Sequence, residues 1–155
     1  MSIDKKIQLL GLVLPRVGKP VGKYSPLIHL KEPGLIFLSG QLPFKSGGEL
    51  IVGKLTKKED IEFGKEAARA AALTALAQIK EHFGSLDYIK SIVQIVGYVN
   101  ASADFIWPHQ VLDGASELLA SVIPQDNFPS RVAIGASSLP LNVAVEISMT
   151  LNTRS

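Results

Sequence analysis

Arg131 and Glu146 carry complementary chemistry near the C-terminal end of the chain, within Pro129-Ser-Arg-Val-Ala-Ile-Gly-Ala-Ser-Ser-Leu-Pro-Leu-Asn-Val-Ala-Val-Glu-Ile-Ser-Met-Thr-Leu151. A guanidinium fork matches a carboxylate bidentately, and a carboxylate nearby can hold a water or take its proton. The stretch predicts two strands joined by a Ser/Pro/Asn turn. Folded symmetrically about Ser138 and Leu139, such a hairpin sets Arg131 opposite Glu146, close enough to share a site. Two roles are open to that pair. It is either a structural cross-strand ion pair or a site in which arginine grips an acid and glutamate activates water.

The elements that must position these residues are legible from periodicity. Val143, Val145, Ile147, Met149 and Leu151 alternate with Ala144, Glu146, Ser148 and Thr150, which is strand spacing with one apolar face. Tyr24 to Leu30 and Leu35 to Leu42 predict two further strands turned at Lys31-Glu-Pro-Gly34. Ser46-Gly-Gly48 marks a tight turn before a short segment around Leu50 to Val52. Thr56-Lys-Lys-Glu59 has capping-box spacing and opens an alanine-rich helix from Asp60 to Phe83, ended by Gly84. Its inward stripe is Ile61, Ala68, Ala72, Ala75, Ile79 and Phe83.

Lys90 to Asn100 predicts a strand apolar on both faces. Ile92, Val96 and Tyr98 point one way, and Val93, Ile95 and Val99 point the other. A second helix is expected within Asp104 to Val122, starting near Pro108, with Leu112, Ala115, Leu119 and Val122 inward. Ser2 to Leu14 suggests a short amphipathic helix capped by Ser2 or Asp4, with Ile3, Ile7 and Leu10 on one face. The order β-β-(β)-α-β-α-β-β predicts an α+β fold, one sheet with two main helices on one face. Two helices cannot cover both faces of so wide a sheet. A neighbouring copy of the chain is therefore expected on the second face.

Composition narrows the chemistry. The 155 residues suit one domain, and a net charge of +2 gives no strong electrostatic reason to bind nucleic acid. Arg16, Lys19 and Lys23 read as cations of a solvated Gly/Pro loop. With no cysteine, a disulfide scaffold, a thiol nucleophile and a cysteine-ligated metal are excluded. His29, His82 and His109 lack metal-ligand spacing. No apolar run reaches a membrane span or resembles a secretory signal, so a cytoplasmic protein is expected.

Tyr24, Phe37-Leu-Ser-Gly-Gln-Leu-Pro43, Asn100 to Phe105, Pro129-Ser-Arg131 and Leu139-Pro-Leu-Asn-Val-Ala-Val-Glu146 together resemble the RidA (YjgF, L-PSP) family. The similarity runs from about Val21 to Leu151. The extended N-terminus, the long approach to the second helix and Arg-Val-Ala-Ile-Gly135 resemble its chorismate-mutase-like subgroup. The resemblance implies one chorismate-mutase-like domain over residues 1–155, with an N-terminal extension at 1–20 and a core at 21–152. It also implies a homotrimer with clefts between subunits.

The implied activity is hydrolysis of reactive enamines and imines (2-imino acids) to 2-oxo acids and ammonia, without metal or cofactor. By resemblance Arg131 grips the substrate carboxylate and Glu146 positions or activates water. Tyr24 and Ser39 line the site, and Gly40 permits close backbone approach. Ala133 stands where imine-deaminating members carry cysteine, and Asp113 where members often carry asparagine. The other functions weighed are a non-catalytic small-carboxylate binder or regulatory protein, and an endoribonuclease or translation inhibitor.

Overall fold

A computed structural model describes residues 1–154. In chain order the elements are α1 (Ile3–Leu9), β1 (Leu27–Leu30), β2 (Leu35–Gln41), α2 (Ile61–Phe83), β3 (Ile89–Asn100), α3 (Pro108–Val122), β4 (Ser130–Ala136) and β5 (Val145–Thr153). The alternating C-terminal segment becomes the centre of one five-stranded mixed sheet, ordered β1-β2-β5-β3-β4. Its apolar side chains Val145, Ile147, Met149 and Leu151 are all buried beneath the helices. At roughly 1.5–3 kcal/mol for each fully buried large aliphatic side chain, this face alone is a sizeable share of the folding free energy.

Local sequence explains both long helices. α2 starts where the Asp60 carboxylate accepts from the backbone N–H groups of Thr56, at 2.8 Å, and Lys57, at 3.1 Å. The capping acid is therefore Asp60, one residue later than the expected Glu59. A short 3-10 turn at Lys58–Asp60 absorbs the offset. Gly84 ends α2 in the left-handed region at φ 78°, where a side chain would be strained. The expected inward residues Ala68, Ala72, Ala75 and Ile79 are fully buried. Pro108 occupies the first turn of α3, where its missing N–H costs nothing, and Leu112, Ala115, Leu119 and Val122 face inward as expected. The two helices approach so closely that a Cβ at Gly114 would collide with the Lys65 backbone carbonyl.

α1 is shorter than its amphipathic pattern. Ser2 caps it, and Ile3 and Ile7 are buried, but Leu10 lies past its end and is 53 % exposed. Asp4 is no cap. It reaches the Ser85 hydroxyl at 2.6 Å, the Leu86 N–H at 3.1 Å and the Lys80 ammonium at 3.0 Å, pinning α1 to the end of α2. Burial pushes its carboxyl up. The Ser85, Lys80 and Leu86 donors outweigh that effect and hold it below its ordinary value.

The closing hairpin does not form. β4 pairs in parallel with β3, and β5 pairs antiparallel with β3 on its other side, so β3 separates them. The unit β3-α3-β4 is a crossover that carries β4 to the outer edge. Regaining the centre of the sheet means crossing two strand spacings, roughly 10 Å, which a two-residue turn at Ser138 and Leu139 cannot span. The chain uses residues 137–144 instead. They include a 3-10 turn at Pro140–Asn142 with Leu141 and Asn142 at φ 56° and 57°.

β3 also departs from simple alternation. Its pairing with β5 shifts between Ile92 and Gln94, and this bulge turns Ile92 into the core beside Ile95 while leaving Val93 40 % exposed. Ala144, expected on the polar face, is fully buried.

Candidate active site on two faces of one sheet

Strand registry decides where the predicted residues point. Paired neighbours in adjacent strands project to the same face. Arg131 pairs with the buried Ile95, and Ala133 pairs with Gly97, whose open position is filled by Leu112 of α3. Arg131 and Ala133 therefore look toward the helices. Glu146 pairs with Tyr98, on the face that carries no helix. The two residues expected opposite each other sit on opposite faces of the sheet, with β3 between their strands.

On the helix side, Arg131 is held from three directions. Its Nη1 donates to Asp113 Oδ1 at 2.9 Å and to Ser116 Oγ at 3.0 Å, and Nη2 donates to the His109 carbonyl at 3.1 Å. All three acceptors belong to α3, and Asp113 and Ser116 lie one turn apart. Asp113, which the family resemblance put in the site, is thus joined to Arg131. Ser116 and the His109 carbonyl were not predicted, although the i, i+3 relation of Ser116 to Asp113 on a helix passing over β4 is a usable signal. The His109 side chain is exposed.

On the open face, Glu146 lies against β2. A Cβ at Gly40 would overlap Glu146 Oε1, so a residue without a side chain is what lets the carboxylate lie there. Burial raises the Glu146 carboxyl above its ordinary value of 4.5. Tyr24 and Gly40 also line a separate cleft of about 390 Å³ with Arg16, Lys19, Gln41 and Leu141, which reaches Thr74 and Gln78 of α2 and does not include Glu146. Two cations of the Gly/Pro loop thus turn toward this cleft. Ser39 donates its hydroxyl to the Ser25 carbonyl at 2.6 Å and ties β2 to the Tyr24 segment.

A polar knot at the C-terminal ends of β3 and β4 escaped the sequence reading. Lys54 donates to Asn100 Oδ1 at 2.8 Å and to the Ser137 carbonyl, and Asn100 donates to Asn142 Oδ1 and the Val143 carbonyl, both at 3.1 Å. It fixes the crossing segment that carries the chain from β4 to β5. Asn100 is fully buried, so each of these bonds replaces one lost to water.

Around the polar stripe of Glu146, Ser148 and Thr150, the open face is apolar. Ile28 is 50 % exposed, Phe37 42 %, Tyr98 37 %, Val132 41 % and Ile134 43 %. Ile28 pairs with Phe37, and Tyr98 pairs with Ile134, so these side chains form flanks rather than scattered spots. Among the described residues no three His, Cys, Asp or Glu side chains stand together as a metal site, and no helix is long and apolar enough to cross a membrane.

Known proteins share both sequence and shape with this chain. The model of the family described as "YjgF/chorismate_mutase-like, putative endoribonuclease" matches residues 4–151. Protein TCP17 of Trypanosoma cruzi is 33 % identical over 146 residues, spanning 94 % of this chain and 90 % of that one. The crystal structure of Atu1372 from Agrobacterium tumefaciens, a protein of unknown function, is 32 % identical with a TM-score of 0.85 over 98 % of this chain and 94 % of that one. A Shewanella oneidensis structure bearing the endoribonuclease label is 28 % identical with a TM-score of 0.89, over 98 % and 99 % of the two chains. Sequence along nearly the whole length, a single mixed sheet and two helices on one face place this chain in the YjgF/chorismate-mutase-like family.

Proposed function

We propose that the protein is a hydrolytic deaminase of 2-imino acids that works without metal or cofactor in clefts between the copies of a homotrimer. The observation that carries this is Glu146, a half-buried carboxylate with raised proton affinity, set against a glycine on an uncovered sheet face. Such a group is suited to accept a proton from water. The apolar flanks around it support burial against another copy. Because Arg131 and Glu146 face opposite ways, one chain does not unite them. A cleft shared between copies brings Arg131 of one copy to Glu146 of the next, with Tyr24, Ser39 and Gly40 beside the glutamate.

The chemistry asks little of the protein. Arg131 anchors the carboxylate of a protonated 2-imino acid, whose imine carbon is already electrophilic. Water bonds to that carbon while Glu146 takes one of its protons, and the C=N π electrons move to nitrogen. Glu146 passes the proton to the amine. Collapse of the hydroxyl to C=O, with its proton taken by Glu146 and then carried off by ammonia as ammonium, breaks the C–N bond and releases the 2-oxo acid.

The test is release of 2-oxo acid from 2-iminopropanoate and 2-iminobutanoate generated in place by an amino-acid-oxidising enzyme. Wild type accelerates it, and Arg131→Ala lowers kcat/KM by at least about 100-fold. A trimeric wild type with no acceleration overturns the proposal. The outcome would then favour a small-carboxylate binding or regulatory role, for which the Arg131–Asp113 ion pair and the absence of a thiol at Ala133 speak. The endoribonuclease label attached to relatives finds little support in a net charge of +2.

A further inference from the structure

Between α3 and the first halves of β3 and β4 runs a slot of about 460 Å³. Its walls are Ile92, Ile95, Leu119, Ile123 and Phe128. Four of these belong to the packed core, but Phe128 is 89 % exposed and stands at the rim. Arg131, Ser116, Glu117 and Gln125 form the polar part of the lining, with the Gln125 amide already bonded to the Ile92 and Asn127 backbone. A guanidinium has five N–H donors, and Asp113, Ser116 and the His109 carbonyl take three. Two remain for a ligand.

Charge at this end is balanced. Arg131 faces Asp113 at 2.9 Å, and Lys65 faces Glu117 at 3.3 Å. Asp113 stands outside the slot's lining, one turn before Ser116; it gives Oδ1 to Arg131, while its Oδ2 has no hydrogen-bond partner among the described residues. A simple anion at Arg131 meets the Asp113 carboxylate beside it. A molecule with a carboxylate and a neighbouring nitrogen cation satisfies both signs.

We propose that the slot selects zwitterionic 2-amino or protonated 2-imino acids with a bulky apolar side chain. The carboxylate takes the two free N–H groups of Arg131, the nitrogen cation turns to Asp113 Oδ2, and the side chain enters the space bounded by Ile92, Ile95, Leu119, Ile123 and Phe128. This rests on the reading of Arg131 as a carboxylate anchor and names the substrate class. It also gives Asp113 a role as a specificity residue. The 2-oxo acid product keeps the carboxylate, has lost the nitrogen cation and is repelled.

Calorimetric titration of the full chain with L-leucine, L-alanine and 4-methyl-2-oxopentanoate tests it. L-leucine binds about 10-fold more tightly than either of the others, reflecting an apolar side chain in one comparison and a nitrogen cation in the other. Asp113→Asn reverses the order of L-leucine and the oxo acid. Phe128→Ala, a change at an exposed rim that does not threaten folding, weakens L-leucine several-fold and leaves L-alanine unchanged. Equal or tighter binding of the oxo acid to wild type, or no binding of L-leucine, overturns the inference. Imine hydrolysis is measured on the same preparations. Turnover with the wrong ligand order defeats the slot assignment alone, and the right order without turnover defeats the deaminase reading alone.

Discussion

A carboxylate that must take a proton from water works best when its own proton affinity is raised, and burial does this to Glu146. A carboxyl whose folded value exceeds its unfolded one binds more protons when folded. Stability then falls as pH rises from the ordinary value, 4.5, through the raised one. Activity runs the opposite way, because only the ionised form accepts the proton. kcat/KM is therefore expected to rise with pH through a midpoint above 4.5. Glu146→Gln is expected to abolish turnover, to stabilise the protein in thermal melts at neutral pH, and to lose that advantage below pH of about 4. A variant less stable than wild type at pH 7 would show that the carboxylate is stabilising in its folded surroundings. At this scale residue types were legible and their company was not. Arg131 and Glu146 stood out as the cation and anion of two apolar strands, and the resemblance also named Asp113 and Gly40, but that Asp113 pairs with Arg131 and Gly40 makes room for Glu146 is seen only in the fold.

Helix placement turns on small residues. α3 lies against α2 at Gly114, where a Cβ would meet backbone rather than a side chain able to swing away. Gly114→Ala is expected to destabilise by roughly 1–3 kcal/mol or more by forcing the helices apart. Chemical denaturation reads that loss directly, and a change within about 0.5 kcal/mol would mean that the helix pair yields easily. Because α3 supplies all three acceptors that hold Arg131, displacement should also weaken ligand binding. Helix extents were readable from Asp60, Gly84 and Pro108, since caps and breakers act locally. Strand faces were readable for β5, whose alternation is unbroken. In β3 the bulge after Ile92 was not readable, because an extra residue in one strand is visible only against its partner.

For the whole molecule, the open sheet face is the feature that bears on assembly. Tyr98, Val132 and Ile134 form an apolar flank on β3 and β4, and Ile28 and Phe37 form another on β1 and β2. Ile134→Asp puts a charge where an oligomer would bury it, a cost of several kcal/mol. Light scattering is expected to report a trimer for wild type and a monomer for the variant, with unchanged circular dichroism. Retention of the wild-type mass would show that this flank lies outside the interface. If the cleft is shared, imine turnover disappears together with the trimer.

The sequence by itself determined the α+β class, the extents of α2, α3, β3 and β5 to within a few residues, the buried face of β5 and the family, while the segment around Leu50 to Val52 forms only isolated bridges. Each of these depends on periodicity, caps or ordered motifs written in consecutive residues. Tertiary structure decided the rest. The parallel pairing of β4 with β3 and the antiparallel insertion of β5 placed Arg131 and Glu146 on opposite faces, where a hairpin would have joined them. A strand carries no mark of which neighbour it will pair with. That choice is made by the crossover helix and by the burial of β3 between two strands, both products of the folded chain as a whole.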